Sequence, residues 1–422
     1  MSPETLSPEE QRVLKFIDEA ELVQLASELI AAPSENPGGT EAAAVDVLRR
    51  ACEQYGLEVA VSEAAPGRPN LVATLPGGEA GPVMFLGHSD VVPAGEGWTR
   101  EPFEPVVDAG RLYGRGSTDM KGGLAAVVVA MAALSRAGNR LSGPVPLVCT
   151  VDEEDLDLGI RAFIEQAGQQ AGQPSGQSAG QSAGPSPDRP LPQSYSACIV
   201  AEPTDLETVI GCRGDSYLEL TVTGIPAHSG KPADGRNAID AASKILELIR
   251  QDGERLAQDP DPLLGHGTWN VGRIEGGHGT AIVAGACSVS LDRRLMPGED
   301  PHQLAEALRE QIRAAGIDTD GISVDLEVTM EMPGFRTDPD SAVVATAVEA
   351  IADAGGGDSP VGGWTAACDG GFIARHFGVD TIVLGPGGLN DQAHQRDESV
   401  GIDELTTAAR AYALMCLRLL PA

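Results

Sequence analysis

Positive charge is scarce in this 422-residue chain, which has 29 Lys and Arg residues against 62 Asp and Glu residues and a formal net charge of -33. Contacts with phosphate groups require clusters of Lys and Arg. The composition therefore argues against nucleic acid and against an anionic membrane surface as partners. Acidity of this kind is typical of a solvated surface that keeps a protein in solution.

Long apolar runs are also lacking. The longest stretches, such as LAAVVVAMAAL from Leu124, are too short to cross a membrane. The N-terminal segment MSPETLSPEEQRVLKFIDEA has no basic region followed by an apolar one, so nothing in it indicates export. We therefore expect a cytoplasmic protein without a membrane partner.

Closely spaced cysteine pairs are absent. The seven cysteines are odd in number and scattered, and no Cys-x-x-Cys pair is present to hold zinc or to cycle between thiol and disulfide. We expect them to be small, reduced core residues. They are Cys52, Cys149, Cys198, Cys212, Cys287, Cys368 and Cys416.

Short apolar runs alternate with longer helical patterns along much of the chain. Continuous apolar runs are typical of strands buried on both faces, as in a mostly parallel sheet covered by helices. The fold class predicted from them is α/β. The runs are LVATL from Leu71, VMFLGH from Val83, VPLVCTV from Val145, ACIVAE from Ala197 and TIVLGPG from Thr381.

One segment, from Ala167 to Gln193, is of low complexity and repeats Gly, Gln, Ser, Ala and Pro. It has too little apolar surface to offset the entropy lost on ordering. We therefore predict a disordered surface insertion over 167–193.

A different pattern starts near Gly214, where Leu218, Leu220 and Val222 alternate with polar residues as in a half-buried strand. In the helical stretch that follows, one helical face is predicted to carry Ile239, Ala242, Leu246 and Ile249. Two further strands, a second helix and a last strand complete the order βαββαβ of a ferredoxin-like unit. We predict an inserted α+β domain at 213–334 and a discontinuous catalytic domain at 1–212 and 335–422.

Polar side chains follow the buried strands at the edge where ligand sites of open α/β sheets lie. The third apolar run ends in VDEED, and another helical stretch begins just after Asp119. We expect these groups to converge at one edge of the sheet. They are His88, Asp90, Asp119, Glu153, Glu154, Glu202 and His394.

Each of these residues also has an ordinary structural interpretation. Asp119 is suited to capping a helix, the pair Glu153 and Glu154 to an acidic turn, and His394 to a surface loop. Helix caps and acidic turns have no reason to follow successive buried strands together with histidines. Their joint placement therefore favours a functional site.

Two imidazoles and several carboxylates suit zinc, with cobalt or manganese as substitutes. Two metal ions roughly 3.5–4 Å apart need a shared carboxylate, and a further acid must stay free to move a proton. Glu153 and Glu154 can divide these tasks, one binding metal and the other acting as a base. Asp90 is suitably spaced to fix the tautomer of His88.

Seven motifs of this sequence resemble, in order, those of the M20 family of zinc metallopeptidases and amidohydrolases. The resemblance runs from about residue 70 to about residue 400. The family includes acetylornithine deacetylase, succinyl-diaminopimelate desuccinylase, aminoacylase and glutamate carboxypeptidases. The motifs are GHSDVVP, YGRGSTDMKGGLAA, DEE, AEPT, GIPAHSGKPADGRNAID, DRRLMPGE and AHQRDE.

The resemblance implies a role for each residue of the site. One of two zinc ions is expected to be bound by His88, Asp119 and Glu202. The other is expected to be bound by Asp119, Glu154 and His394, so that Asp119 bridges the two. Glu153 is then the general base, and Asp90 orients His88.

In the family, the inserted domain is a lid through which the chains form a homodimer. The resemblance implies that His228 reaches the site of the partner subunit to stabilise an oxyanion and that Arg294 binds a substrate carboxylate. The usual Asn-Val-Val-Pro stretch of the lid appears here with Ala281 and Ala284 in place of its first and last residues. This departure bears on substrate choice more than on chemistry.

The function expected from these features is hydrolysis of the amide bond of a small N-acyl amino acid. The motifs AEPT and AHSGKPADGRNAID are more similar to those of the deacetylase and desuccinylase branch than to those of dipeptidases. The alternative within the family is a metallo-carboxypeptidase or dipeptidase acting on a short peptide. A binding or scaffold protein that has lost catalysis is a third possibility, which loss of a ligand or of the base would favour, and neither is lost.

Overall fold

The computed structural model describes residues 6–171, residue 192 and residues 194–422. Within it the chain forms two compact units. The described residues of 1–210, 337–362 and 372–422 form unit 1, and those of 211–336 and 363–371 form unit 2. The short segment 363–371 was predicted to belong to the outer domain but lies in unit 2, where the backbone oxygen of Trp364 accepts a hydrogen bond from the N–H of Arg213 (3.1 Å). The catalytic and lid roles of the units stay predictions.

The helices are α1 (Pro8–Leu14), α2 (Glu19–Ala31), α3 (Ala42–Gln54), α4 (Lys121–Arg136), α5 (Leu158–Ala171), α6 (Ala238–Leu256), α7 (Pro301–Ala314), α8 (Ala342–Ile351), α9 (Gly370–Phe377) and α10 (Ile402–Leu419). The strands are β1 (Glu58–Ala65), β2 (Arg68–Leu75), β3 (Val83–His88), β4 (Val106–Asp108), β5 (Arg111–Tyr113), β6 (Val145–Thr150), β7 (Ala197–Val200), β8 (Thr208–Cys212), β9 (Asp215–Thr223), β10 (Thr268–Gly276), β11 (Ala286–Arg294), β12 (Ser323–Met332), β13 (Phe335–Arg336), β14 (Val361–Trp364), β15 (Thr381–Val383) and β16 (Ser399–Gly401).

The main sheet has the strand order β1-β2-β6-β3-β7-β15-β8-β13, and β14 pairs with β8. Its centre is parallel, since β3 pairs in parallel with both β6 and β7, and β15 pairs in parallel with β7. Every residue of β3, β6 and β7 is buried. The predicted α/β fold with a mostly parallel sheet is therefore confirmed. The run at Leu71 differs, because β2 pairs antiparallel with both of its neighbours.

Helix α4 is the most deeply buried helix of unit 1, with every residue from Lys121 to Leu134 buried. Its first turn contains Gly122 and Gly123, and a Cβ on Gly123 would collide with the backbone oxygen of Ala201. Glycine here lets the start of the helix approach the end of β7 closely. The residues that precede α4 and those that follow β7 are thereby brought together.

Unit 2 contains an antiparallel sheet of order β10-β11-β9-β12, packed against α6 and α7. The chain order βαββαβ and this strand order are those of the predicted ferredoxin-like unit, which is confirmed. Leu218, Leu220 and Val222 alternate into its core as expected. The predicted buried face of α6 is wrong at one position: Ile239 is 40% exposed, and Ala238 and Ile245 are buried instead.

The predicted disordered insertion over 167–193 starts too early. Helix α5 continues to Ala171, so the first residues of that segment are helical. Ala167 is buried, which gives the helix an apolar contact that composition alone does not reveal. The rest of the predicted insertion, 172–191 and 193, lies outside the described residues.

All seven cysteines are buried and free, as predicted. Among the described residues, no helix is both long enough and apolar enough to cross a membrane. The cytoplasmic location stays a prediction.

Candidate metal centre

Three neighbouring strands of the main sheet bring polar side chains to the same edge. His88 is the last residue of β3, Glu202 follows the end of β7, and the pair Glu153 and Glu154 follows the end of β6. Because β3 lies between β6 and β7 and all three are parallel, their carboxyl ends meet at one edge. Asp119 reaches the same place from the loop that precedes α4.

The first donor group consists of His88, Asp119 and Glu202. The Nε2 atom of His88 lies 3.2 Å from Oδ1 of Asp119 and 3.1 Å from Oε1 of Glu202. Burial opposes a charged His88, but the Glu202 and Asp119 carboxylates outweigh it and raise the pKa of the imidazole well above its ordinary value. Burial and the neighbouring Asp119 charge raise the pKa of Glu202 to about 8.

The second donor group consists of Asp119, Glu154 and His394. The Nε2 atom of His394 lies 3.3 Å from Oδ2 of Asp119 and 3.1 Å from Oε2 of Glu154. The hydrogen bonds that the imidazole donates to both carboxylates raise the pKa of His394 to about 10. Burial raises the pKa of Glu154, and the charge of Asp119 raises it further.

Asp119 belongs to both groups and presents one oxygen to each histidine. Burial would raise its pKa, but hydrogen bonds from His394 and His88 hold the pKa of this carboxyl far below its usual range. The two groups differ in exposure: the side chain of His88 is 1% exposed, whereas that of His394 is 50% exposed. The shared carboxylate thus joins an enclosed group to an open one.

The chemistry of the donors fits two divalent cations. Three almost fully buried carboxylates lie beside two imidazoles. Burial and the Asp119 charge raise the pKa values of Glu202 and Glu154, so further positive charge is needed for all three carboxylates to be ionised together. The ligand atoms of each group lie within 4.8 Å of one another. Imidazole nitrogen and carboxylate oxygen are common ligands of zinc and of other divalent transition metals.

Glu153 belongs to neither donor group. Its Oε2 atom lies 4.0 Å from Nε2 of His88, and its side chain is mostly buried. A carboxylate beside a metal site that is not needed as a ligand has the position required of a base.

Asp90 organises the loop that carries both glutamates. Its carboxylate accepts the backbone N–H groups of Glu153 (3.3 Å) and Glu154 (3.1 Å) and a side-chain N–H of Asn36 (3.0 Å). The Nδ1 atom of His88 lies closer to the backbone oxygen of Asp90 (3.0 Å) than to its carboxylate (3.5 Å). Both the main chain and the carboxylate of Asp90 therefore face Nδ1 of His88.

Two residues of this network escape sequence reasoning. Asn36 donates its second amide hydrogen to Asp152 (2.9 Å), and Asp152 also forms an ion pair with Arg68 (2.7 Å). Asp152 stands directly before the two glutamates and adopts a positive φ of 68°. Asn36 lies far from these residues in the chain, and no local pattern connects it with the site.

The structure places His228 and Arg294 in unit 2, whereas the other predicted site residues lie in unit 1. The Nδ1 atom of His228 accepts a hydrogen bond from the backbone N–H of Gly230 (2.9 Å). Arg294 lies 3.2 Å from Asp215 and 3.1 Å from Asp292. Burial raises the pKa of Asp215 to about 6 although Arg294 opposes this.

Two adjoining donor groups with a shared carboxylate, at the carboxyl edge of an α/β sheet, are typical of hydrolases that use two metal ions. Residues 84–418 match the model of peptidase family M20/M25/M40. The chain belongs to this family, and it is a metal-dependent hydrolase of amide bonds.

Relatives named acetylornithine deacetylase match most of the chain. Acetylornithine deacetylase from Aliivibrio fischeri is 30% identical over 359 residues, which cover 84% of this chain and 85% of that protein. Acetylornithine deacetylase from Vibrio campbellii is 29% identical over 375 residues, covering 88% and 89%.

Solved structures share the fold. A metallo-carboxypeptidase of the M20 family from Sulfolobus solfataricus superposes with a TM-score of 0.74 at 21% identity, covering 94% of this chain and 99% of that one. A dinuclear metal-binding M20 peptidase from Bacillus subtilis superposes with a TM-score of 0.68 at 17% identity, covering 95% and 98%.

Metal binding is expected to release protons. Zinc binds neutral imidazole, and the pKa of His394 is raised to about 10 in the metal-free protein, so the ion must displace a proton at neutral pH. We expect metal affinity to increase as the pH rises from 6.5 towards 10. Calorimetric titration with zinc in buffers of different ionisation enthalpy measures the protons released.

The same raised pKa predicts how the stability of the metal-free protein changes with pH. Protonated His394 adds stability that is fully present below its ordinary pKa of 6.5 and is lost as the pH rises through about 10.

The variant His394→Gln is the control for the zinc titration, since it removes the titrating imidazole. Zinc binding at pH 8 without proton release, or with the same release in the variant, would contradict the assignment.

Proposed function

We propose that this protein is a deacylase that hydrolyses the amide bond of a small N-acyl amino acid. The observation that carries the proposal is the set of five metal donors with Glu153 beside it and outside both donor groups. The acetylornithine deacetylases among its relatives support an acyl amino acid as the substrate class.

In this proposal both metal ions are zinc, with cobalt or manganese as substitutes. His88, Asp119 and Glu202 hold one ion. Asp119, Glu154 and His394 hold the other. When bound, the two ions supply Lewis acidity, which polarises a carbonyl group and lowers the pKa of water.

The residues of the chain then divide the remaining work. Glu153 takes a proton from the attacking water and later gives it to the leaving amine. Asp90 holds Glu153 and Glu154 in register by accepting both of their backbone N–H groups. The imidazole of His228 stabilises the oxyanion of the partner subunit's substrate, and Arg294 binds the substrate carboxylate.

A substrate panel tests the reaction class. Amine release is measured from N-acetylornithine, N-succinyl-diaminopimelate, N-acetylmethionine and a dipeptide, with zinc-loaded and chelator-treated protein. We expect metal-dependent release from one or more acyl amino acids. The substitutions at Ala281 and Ala284 bear on which one is preferred. Release from the dipeptide alone would show that the protein is a peptidase and not a deacylase. No release from any substrate would overturn the proposal.

Replacing Glu153 by Gln tests the base. The amide keeps the shape of the side chain but cannot accept a proton, so we expect turnover to fall by about 100-fold or more while zinc content stays unchanged. Metal analysis and initial rates on the preferred acyl substrate measure both. The control is Glu53→Gln on the exposed face of α3. Activity retained in Glu153→Gln would assign the base elsewhere.

We also propose that two chains associate through unit 2. Strand β10 pairs only with β11 among the described strands, so its outer edge carries backbone groups open to another strand. Val271 and Ile274 of this strand are 42% and 51% exposed, and Ile239 of α6 is exposed as well. Exposed apolar side chains along an open edge suit a symmetric contact between two identical strands.

The substitution Ile274→Lys is expected to convert the dimer to a monomer, because it places a charge on the proposed contact. Light scattering measures the mass of the particle, and rate assays show whether the monomer turns over substrate. The matched control is Val107→Lys, at an equally exposed apolar position of β4 in unit 1. A monomer with full activity would contradict the role of His228 in the partner's site.

A further inference from the structure

Glu398 is a buried carboxylate that the mechanism above does not use. It lies four residues after His394 and directly before β16. Its side chain is fully buried. A buried carboxylate so close to the metal donors, and in neither donor group, needs another physical explanation.

The contacts of Glu398 all run to the loop that carries Asp119. Its Oε1 atom accepts the backbone N–H groups of Thr118 (2.8 Å) and of Asp119 itself (3.0 Å). Its Oε2 atom accepts the backbone N–H of Gly116 (3.1 Å) and the guanidinium of Arg115 (2.6 Å). Four donors from five consecutive residues thus converge on one carboxylate. Backbone N–H groups arranged around one anion fix the conformation of the segment that bears them.

Two further hydrogen bonds join the same two loops. The backbone oxygen of Glu398 accepts the N–H of Gly114 (2.9 Å), and the hydroxyl of Thr118 donates to the backbone oxygen of Ser399 (2.9 Å). The segment around Asp119 is therefore attached to the segment after His394 along its length.

The ion pair between Arg115 and Glu398 is itself buried, since the Arg115 side chain is 2% exposed. Its guanidinium also lies over the ring of Trp98, with 5.1 Å to the ring centroid. A buried ion pair adds little net stability compared with apolar residues of the same volume, although loss of one partner is strongly destabilising. The ion pair between Arg115 and Glu398 therefore matters for geometry more than for stability, because it joins two loops that each carry a metal donor.

We propose that Glu398 is a positioning residue that holds Asp119 in register with His394 and so determines the affinity of the metal position formed by Asp119, Glu154 and His394. The inference rests on the metal binding of the proposed function. The metal position formed by His88, Asp119 and Glu202 depends less on Glu398, because β3 and β7 of the main sheet place His88 and Glu202.

The variant Glu398→Gln tests this role. The amide has nearly the same shape, but its NH2 group faces N–H donors and leaves the Arg115 charge without its partner. Substitutions of residues that orient metal ligands typically weaken binding roughly 10–100-fold. We expect a loss of that size at the position formed by Asp119, Glu154 and His394 and a smaller loss at the other position, which shares Asp119. Zinc titration against a chromophoric chelator, with metal analysis after gel filtration, measures each affinity and the number of ions retained.

A matched control separates positioning from general stability. Glu10 is another mostly buried glutamate, paired with Arg418 (2.8 Å), and it contacts no donor of the metal centre. The variant Glu10→Gln should lower the melting temperature of the metal-free protein and leave both zinc affinities unchanged. Added zinc should restore turnover in Glu398→Gln, which a purely structural defect would not allow.

A milder variant decides the matter if Glu398→Gln does not fold. Thr118→Val removes the hydroxyl bond to Ser399 and keeps the shape of the side chain, and a smaller loss of affinity, greatest at the same position, is expected. Unchanged affinities, or equal losses at both positions, would overturn the inference. A wild-type chain that binds fewer than two ions would overturn the proposed function, and the inference with it.

Discussion

The carboxylate of Asp119 is the group on which the whole centre depends. It lies between two histidines and beside two glutamates, in a place from which water is largely excluded, so it concentrates charge that only cations can balance. The fold accommodates this charge by surrounding it with rigid structure. A buried helix begins directly after it, strands β3 and β7 end beside it, and Glu398 binds the backbone that carries it.

The donor residues of unit 1 must be held in precise positions, and the layout of its sheet fixes two of them. Parallel strands deliver His88 and Glu202 from adjacent positions, and these strands are buried on both faces. Asp119 and His394 come from loops, which are held less firmly by regular hydrogen bonding. Loops gain comparable rigidity only through added contacts of the kind made by Asn36, Asp90 and Glu398.

Much of this arrangement could be predicted from the sequence. The run VMFLGH predicted β3 to the residue, because a strand buried on both faces is apolar throughout and ends where polar residues begin. The order of the elements in unit 2 followed from alternation and helical periodicity. These patterns depend only on residues that are neighbours in the sequence. The ends of the predicted strands also indicated the donor residues.

What could not be predicted depends on contacts between distant parts of the chain. Ile239 has the hydrophobicity of a core residue, and only the packing of α6 on its sheet shows that it faces outward. The segment 363–371 lies in unit 2, which its composition does not reveal, and its contacts there include a backbone hydrogen bond from Arg213 to Trp364. Asn36 donates a hydrogen bond to Asp90, which lies 54 positions further along the chain.

The unequal exposure of the two histidines has a consequence for access to the centre. The donor group that contains His88 is enclosed, whereas the imidazole of His394 faces the surrounding solution. A solute that approaches the centre therefore meets the side of His394 and Glu154 first, and the side of His88 lies behind it.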